Sequence, residues 1–280
     1  MMMYPPSWRA DDHSLSPISE AGPLSRLGEW LRASFRGAWG EHGAWAVGLV
    51  SVGAGLVMAR SPDPAVLLLL PAVALSVAAK GLATRYRRTR SGLVPTALLA
   101  AGAGACALPA ALKAPLAVGS LVTVALPFAV LYFFVADSPR WTRSLAMEAF
   151  GTLLLASSSG LPIAVARSGG YLEALCAWAF FGLIYMPGIL RARIPKTHQV
   201  SLKIACTLAA AGSLGLLTAF VVAGRTAWWS LIAAPPIVKE AYRAWALPDW
   251  STRELGLNLT LKAIFVALVV SLAWQPGPLS

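Results

Sequence analysis

Acidic residues are scarce in this chain: 12 Asp and Glu stand among 280 residues, against 23 Lys and Arg, and charged residues make up only 12% of the whole. A soluble domain carries roughly 25% charge, so the chain has about half the usual solvated surface. Cysteine is just as thin. Cys106, Cys176 and Cys206 lie singly inside apolar stretches, without the paired spacing of a disulfide framework or a metal site, and read as small core residues. No Walker loop, HExxH pair or nucleophile elbow is present, and no two carboxylates sit at DxxD spacing inside a helix end. The first 40 residues hold no apolar run of the kind a cleavable signal peptide needs. The net charge of +11 does not mark a nucleic-acid binder, because the basic residues sit in short loops between apolar runs.

What the chain has in quantity is apolar sequence, 57% of it, with a mean hydropathy of +0.66. A membrane span takes about 20 apolar residues. Nine runs fit: residues 43–59, 65–83, 93–112, 115–136, 145–166, 171–190, 200–223, 227–242 and 255–274. They are too long and too uniformly apolar for barrel strands, so the predicted fold is an all-α bundle of about nine transmembrane helices. The third and fourth runs are split at Lys113-Ala114-Pro115, because residues 93–136 together are twice a span. Pro235-Pro236 predicts a kink or break in the eighth.

Lys and Arg fix the predicted orientation. Nineteen fall on the side of the N-terminus, and only Arg60, Lys113, Arg167 and Arg225 on the other. The positive-inside bias then puts the N-terminus in the cytoplasm and the C-terminus outside, in a multi-pass protein of a bacterial inner membrane. Trp30, Trp39, Trp141, Trp245 and Trp250 are expected near the inner interface; Tyr171, Trp228, Trp229 and Trp274 near the outer one. Residues 1–22, rich in Pro, Ser and Asp, read as a disordered tail. Residues 23–40 place Leu24, Leu27, Leu31 and Phe35 opposite Arg26, Glu29, Arg32 and Arg36, the pattern of an amphipathic helix on the inner leaflet. The transmembrane domain is residues 41–280.

Polar residues concentrate at the cytoplasmic ends of the spans, and the interior reads as free of ionisable groups. The candidate anionic-ligand site comprises His42, Arg85, Arg88, Arg143, Glu148, Arg191, Arg193, Lys239, Arg243, Asn258 and Lys262. Arg and Lys there offer donors to a phosphate or carboxylate, although snorkelling alone would place basic residues at the same depth. Glu254, Asn258 and Lys262 recur every four residues and share one helix face. Acids at span ends also pair with neighbouring bases, so Glu148 with Arg143, and Glu240 with Lys239 or Arg243, have a structural reading too. With only His42 and His198 at matching depth, no metal or haem site is expected. The expected partners are membrane lipids, including an anionic lipid or isoprenoid ligand, with no nucleic acid and no cofactor.

Glu41-His42-Gly43-Ala44-Trp45-Ala46 resembles the opening signature of the YwiC-like family of bacterial multi-span membrane proteins. Arg143-Ser144-Leu145 followed by Glu148, and Arg253-Glu254-Leu255-Gly256, are similar to later motifs of that family. Ser51 stands where members often carry proline. The resemblance covers roughly residues 41–274 and implies a membrane protein of unassigned activity. More distantly, the topology resembles the UbiA-type prenyltransferases, which hold magnesium and a prenyl diphosphate with Asp-rich motifs after spans two and six. Here residues 80–90 and 191–198 are basic and contain no acid, and a magnesium ion needs oxygen ligands. A binding role is therefore favoured over that enzymology. A transferase without the Asp motifs and a small-solute transporter are the alternatives.

Overall fold

The computed structural model describes residues 42–86, 93–137, 145–167, 170–197, 199–246 and 252–275. The expected tail 1–22, the helix 23–40 and the interfacial Trp141 and Trp250 lie outside the described residues. Helices make up nearly all of what is described: α1 His42–Ala59, α2 Pro64–Leu67, α3 Leu69–Tyr86, α4 Leu93–Lys113, α5 Pro115–Asp137 and α6 Leu145–Ala156. They continue with α7 Gly160–Ala166, α8 Tyr171–Thr197, α9 Val200–Val222, α10 Ala234–Ala246 and α11 Thr252–Ala273. Among the described residues β pairing amounts to one antiparallel bridge, Thr226 with Trp274.

Among the described residues, five helical segments are long and apolar enough to cross a membrane: Pro64–Ala83, Val94–Lys113, Leu145–Ala166, Tyr171–Arg191 and Val200–Val222. Trp45–Ala59, Pro115–Leu131 and Leu257–Ala273 are shorter apolar helices. The exterior matches them. Leu98, Leu108, Leu112, Leu126 and Leu208 are exposed, Leu116 is 87% exposed and Val222 83%, while Ser51, Ser159, Ser213, Arg191 and Glu240 are buried. A soluble monomer rarely shows contiguous apolar patches of more than a few hundred Å². In hydrocarbon the same surface is satisfied and the polar groups turn inward. The chain is a membrane protein.

Contacts set the direction of each helix. Gly48 of α1 lies against Val73 and Val77 of α3, while Ala59 clusters with Val66 and Leu69, so α1 and α2–α3 are antiparallel. Gly102 faces Leu75 and Lys113 pairs with Asp63, which turns α4 back along α3. Beyond Ala114 the chain reverses again. Val118 packs near Val165, and Phe128 packs on Phe150 (6.4 Å) and Trp178 (5.8 Å). The corner forms because Pro115 has no N–H to continue the ladder, while Ala114 N still donates to Ala110 O and Val118 N to Ala114 O. The same antiparallel pattern carries through α8, α9, α10 and α11, as Gly212 against Leu183, Trp245 on Thr207 and Arg243 on Asn258 show. The end where α1 begins is called proximal below, and the end where it finishes distal.

The expected run 145–166 is one apolar helical span, though not α-helical throughout. A 3₁₀ turn, Ser157–Ser159, separates α6 from α7. Pro162 has no N–H to donate to Ser158 O, and the three serine hydroxyls bond back to carbonyls three residues earlier: Ser157 donates to Leu154 O (2.6 Å), Ser158 to Leu155 O (2.6 Å) and Ser159 to Ala156 O (2.8 Å). The Trp178 indole N–H covers Leu153 O at 2.7 Å. The eighth run is also interrupted, upstream of where the prolines alone would put it. A 3₁₀ segment, Trp228–Ala233, precedes α10, and Pro235 and Pro236 fall in the helix's first turn, where no N–H is needed.

Distal residues are tied to one another. Glu173 accepts from Arg167 (3.1 Å) and Arg225 (2.5 Å), Arg60 donates to Trp274 O (2.9 Å), and Asp63 pairs with Lys113. All four cations expected at this end therefore have a partner. Ala227 N donates to Ala273 O (2.9 Å) and Gln275 N to Arg225 O (2.7 Å), which joins the start of the 3₁₀ segment to the end of α11. Trp274 is not the interfacial anchor expected. It is 1% exposed and packs edge-on against Phe220 at 5.3 Å, held there by the same joint.

Asp63 lies in a loop and also caps α2 through Ala65 N at 2.7 Å. The Lys113 ammonium and then the Ala65 N–H hold its carboxyl below the usual carboxylate range. A lowered folded-state value means the ion pair stabilises the protein above about pH 4 and is lost as pH falls through the lowered value. The melting temperatures of the wild-type protein and Asp63→Asn should therefore differ near neutrality and converge as pH drops below about 4. A gap that stays constant with pH would contradict the pairing.

Candidate functional site

Charged side chains meet inside the proximal half of the bundle. Arg191 on α8 is 4% exposed and donates through Nη1 to Glu240 Oε2 at 2.9 Å. Glu240 on α10 is 1% exposed, and its Oε1 stands 4.0 Å from Lys262 Nζ of α11. Arg243, one turn beyond Glu240 on α10, donates to Asn258 Oδ1 at 2.9 Å. Asn258 precedes Lys262 by one turn of α11, so two polar positions on each helix face each other across the pair. Apolar packing by Leu190, Ile194, Leu202, Cys206 and Ala244 surrounds the cluster. Beside it Trp245 Nε1 donates to Thr207 Oγ1 at 3.0 Å, and Lys203 lies over the Trp245 ring at 5.5 Å.

Burial distinguishes these residues from an exposed charged rim: Arg191 closes the apolar span Tyr171–Arg191, and Lys262 is the sixth residue of the apolar helix Leu257–Ala273. These are span ends, where the sequence concentrates its charges; that the charges are enclosed among three helices was not expected. Arg191, Glu240 and Lys262 lie far apart in the chain and come together only when three helices pack.

Removing ions from water costs several kcal/mol each unless geometry and hydrogen bonds repay it. Arg191 and Glu240 meet that condition directly. Lys262 does so less completely: its side chain is 9% exposed, and 4.0 Å exceeds hydrogen-bond distance. The ammonium carries three donors, so its end of the cluster has the capacity to take an oxyanion.

Of the expected site residues, the fold brings together Arg191, Arg243, Asn258 and Lys262. Glu148 on the first turn of α6 and Lys239 on α10 are exposed. Arg88 and Arg143 lie outside the described residues, as do the side chains of His42, Arg85 and Arg193. Glu240 was expected to bond a neighbour on its own helix, and its close partner is instead Arg191, 49 residues away. It was absent from the expected site, although an acid in an apolar run, which no topology rule requires, was the signal for it. Among the described residues no group of three His, Cys, Asp or Glu side chains is placed to hold a metal ion.

The fold and this cluster define a helical membrane protein with a buried ionic site between its helices. No family model, curated protein or solved structure matches the chain.

Proposed function

We propose that this protein binds an anionic group at the Lys262 end of the proximal cluster. The observation that carries the reading is the buried ammonium of Lys262, 4.0 Å from the nearest carboxylate oxygen and beyond hydrogen-bond reach of it. Intramembrane ionisable residues are expensive and mark functional sites by default. The Arg243–Asn258 pair one turn away adds a guanidinium and an amide to the same wall. The wider reading has the chain crossing a bacterial inner membrane nine times, with the proximal end in the cytoplasm. It is supported by the alternating helix directions among the described residues and by the nineteen basic residues that the sequence assigns to the side of the N-terminus. It accords with the resemblance of residues 41–46 to the YwiC-like signature.

Native mass spectrometry of the purified protein in mixed micelles of phosphatidylcholine and phosphatidic acid tests the binding reading. The wild-type protein should retain the anionic lipid, and Lys262→Met should lose it by about tenfold, the scale of one charge-assisted hydrogen bond. Lys262→Arg should retain most of it. Equal retention by all three would remove the site from consideration.

A second reading, a small-solute transporter, is favoured by the interruptions at Ser157–Ser159 and Trp228–Ala233 together with a buried ionic cluster. Gradient-dependent flux of a solute in proteoliposomes, lost in Lys262→Met, would move the assignment there.

A further inference from the structure

The cluster bridges a space between two helices. At the distal end the chain flanking α10 and α11 is stitched together, through Ala227 N to Ala273 O, Gln275 N to Arg225 O and the Thr226–Trp274 bridge. Toward the proximal end the two helices find other neighbours. α10 packs along α9, and α11 packs along α1, while α8 lies behind both. The backbones of α10 and α11 do not pack along each other. Long polar side chains cross the space instead: Arg243 to Asn258, and Glu240 toward Lys262. Arg191 reaches the same point from α8 at the back. Outward of these, α10 presents exposed Lys239 and Tyr242, and α11 presents exposed Leu257 and Leu261, while Trp245 turns to Thr207 of α9. Exposed and mostly apolar side chains thus flank a gap in backbone packing, a cleft whose interior side chains are mainly cationic.

A cleft of this construction has an amphiphile's chemistry. Its buried ammonium suits an oxyanion, and its lips are mostly surfaces that hydrocarbon, not water, satisfies. We infer that the α10–α11 cleft is a lateral portal, through which the head group of an anionic lipid enters from the bilayer to reach Lys262 while its acyl chains stay between the helices or in the membrane. The occupant is membrane-borne, not a water-soluble anion arriving from the proximal face. Charge complementarity at Lys262 and the exposed Tyr242 on the α10 lip, an aromatic that favours the head-group level of a bilayer, both point to it. This inference rests on the anion-binding reading above and deepens it.

The test uses the full chain in phosphatidylcholine nanodiscs with two competing probes, phosphatidic acid in the bilayer and glycerol 3-phosphate in solution. Both offer a phosphate monoester, and only one carries acyl chains. Occupancy is read by native mass spectrometry for the wild-type protein, Lys262→Met and Leu261→Arg. Leu261→Arg places a competing cation on the lip and leaves the interior intact, which covers the case in which Lys262→Met misfolds. The inference predicts retention of phosphatidic acid at least about tenfold over glycerol 3-phosphate at matched activity, a difference of about 1.4 kcal/mol. That retention is reduced in both variants. Equal binding of the two probes would overturn the lateral portal and leave the anion site standing. No selective binding of either probe would overturn both.

Discussion

Arg191→Ala should be among the most damaging single substitutions in the described chain, lowering stability by about 3–5 kcal/mol. The reason is the carboxylate left behind. Glu240 is 1% exposed and takes its 2.9 Å hydrogen bond from Arg191, so truncation leaves a buried acid with its other cation 4.0 Å away. The double substitution Arg191→Ala with Glu240→Ala should recover much of that loss, since it removes the orphaned charge together with its partner. Denaturant titration of the three proteins in one detergent measures the coupling. If the double variant is as unstable as the sum of the singles, the two side chains do not act as a pair.

The second large effect is expected at a residue with no charge at all. A Cβ on Gly55 would stand 2.3 Å from the carbonyl oxygen of Ser159 and 3.0 Å from its carbon. Both are backbone atoms of the 3₁₀ turn that divides α6 from α7, and they cannot swing aside as a side chain can. Gly55→Ala should therefore separate α1 from that turn or unseat its serines, at a cost of about 1–3 kcal/mol or more. Gly104→Ala, at a position where an added Cβ meets nothing within 4 Å, is the matched control and should be neutral or slightly stabilising. The melting temperatures of the two variants, compared with wild type, decide the point. Parity between them would mean that α1 and the turn do not make this approach.

These two sites show what the sequence could and could not disclose. Long apolar runs are local, and nearly every helix boundary followed from them, including the corner at Pro115. Scarcity of charge made the membrane reading legible as well. The break at Ser157–Ser159 was less visible, because a run of small residues keeps high hydropathy even where Pro162 interrupts the ladder. The ionic cluster was hardest to see. Arg191, Glu240 and Lys262 lie on three helices, and each alone looks like a residue near a span end. Only the packing of α8, α10 and α11 brings them to one point. Asn258 and Lys262 were placed correctly on a shared face because a four-residue period is local; Arg243 was expected in the same site, but its bond to Asn258 was not, because cross-helix register is not local.

The distal and proximal ends illustrate the same division. Counting cations separated the two ends, but it did not foresee that Arg60, Lys113, Arg167 and Arg225 would each be engaged by a carbonyl or a carboxylate. Acids are few, and Glu173 and Asp63 hold three of these four cations. The distal end is accordingly a stitched closure, and the cleft between α10 and α11 opens away from it.

The central claim is that Lys262 receives an anion between α10 and α11, and a cryo-electron microscopy structure of the full chain in nanodiscs containing phosphatidic acid tests it most directly. The account predicts head-group density within hydrogen-bond distance of Lys262 Nζ, with acyl density leaving between Tyr242 and Leu261. Density showing Lys262 bonded directly to Glu240, with α10 and α11 closed against each other and no lipid between them, would contradict it.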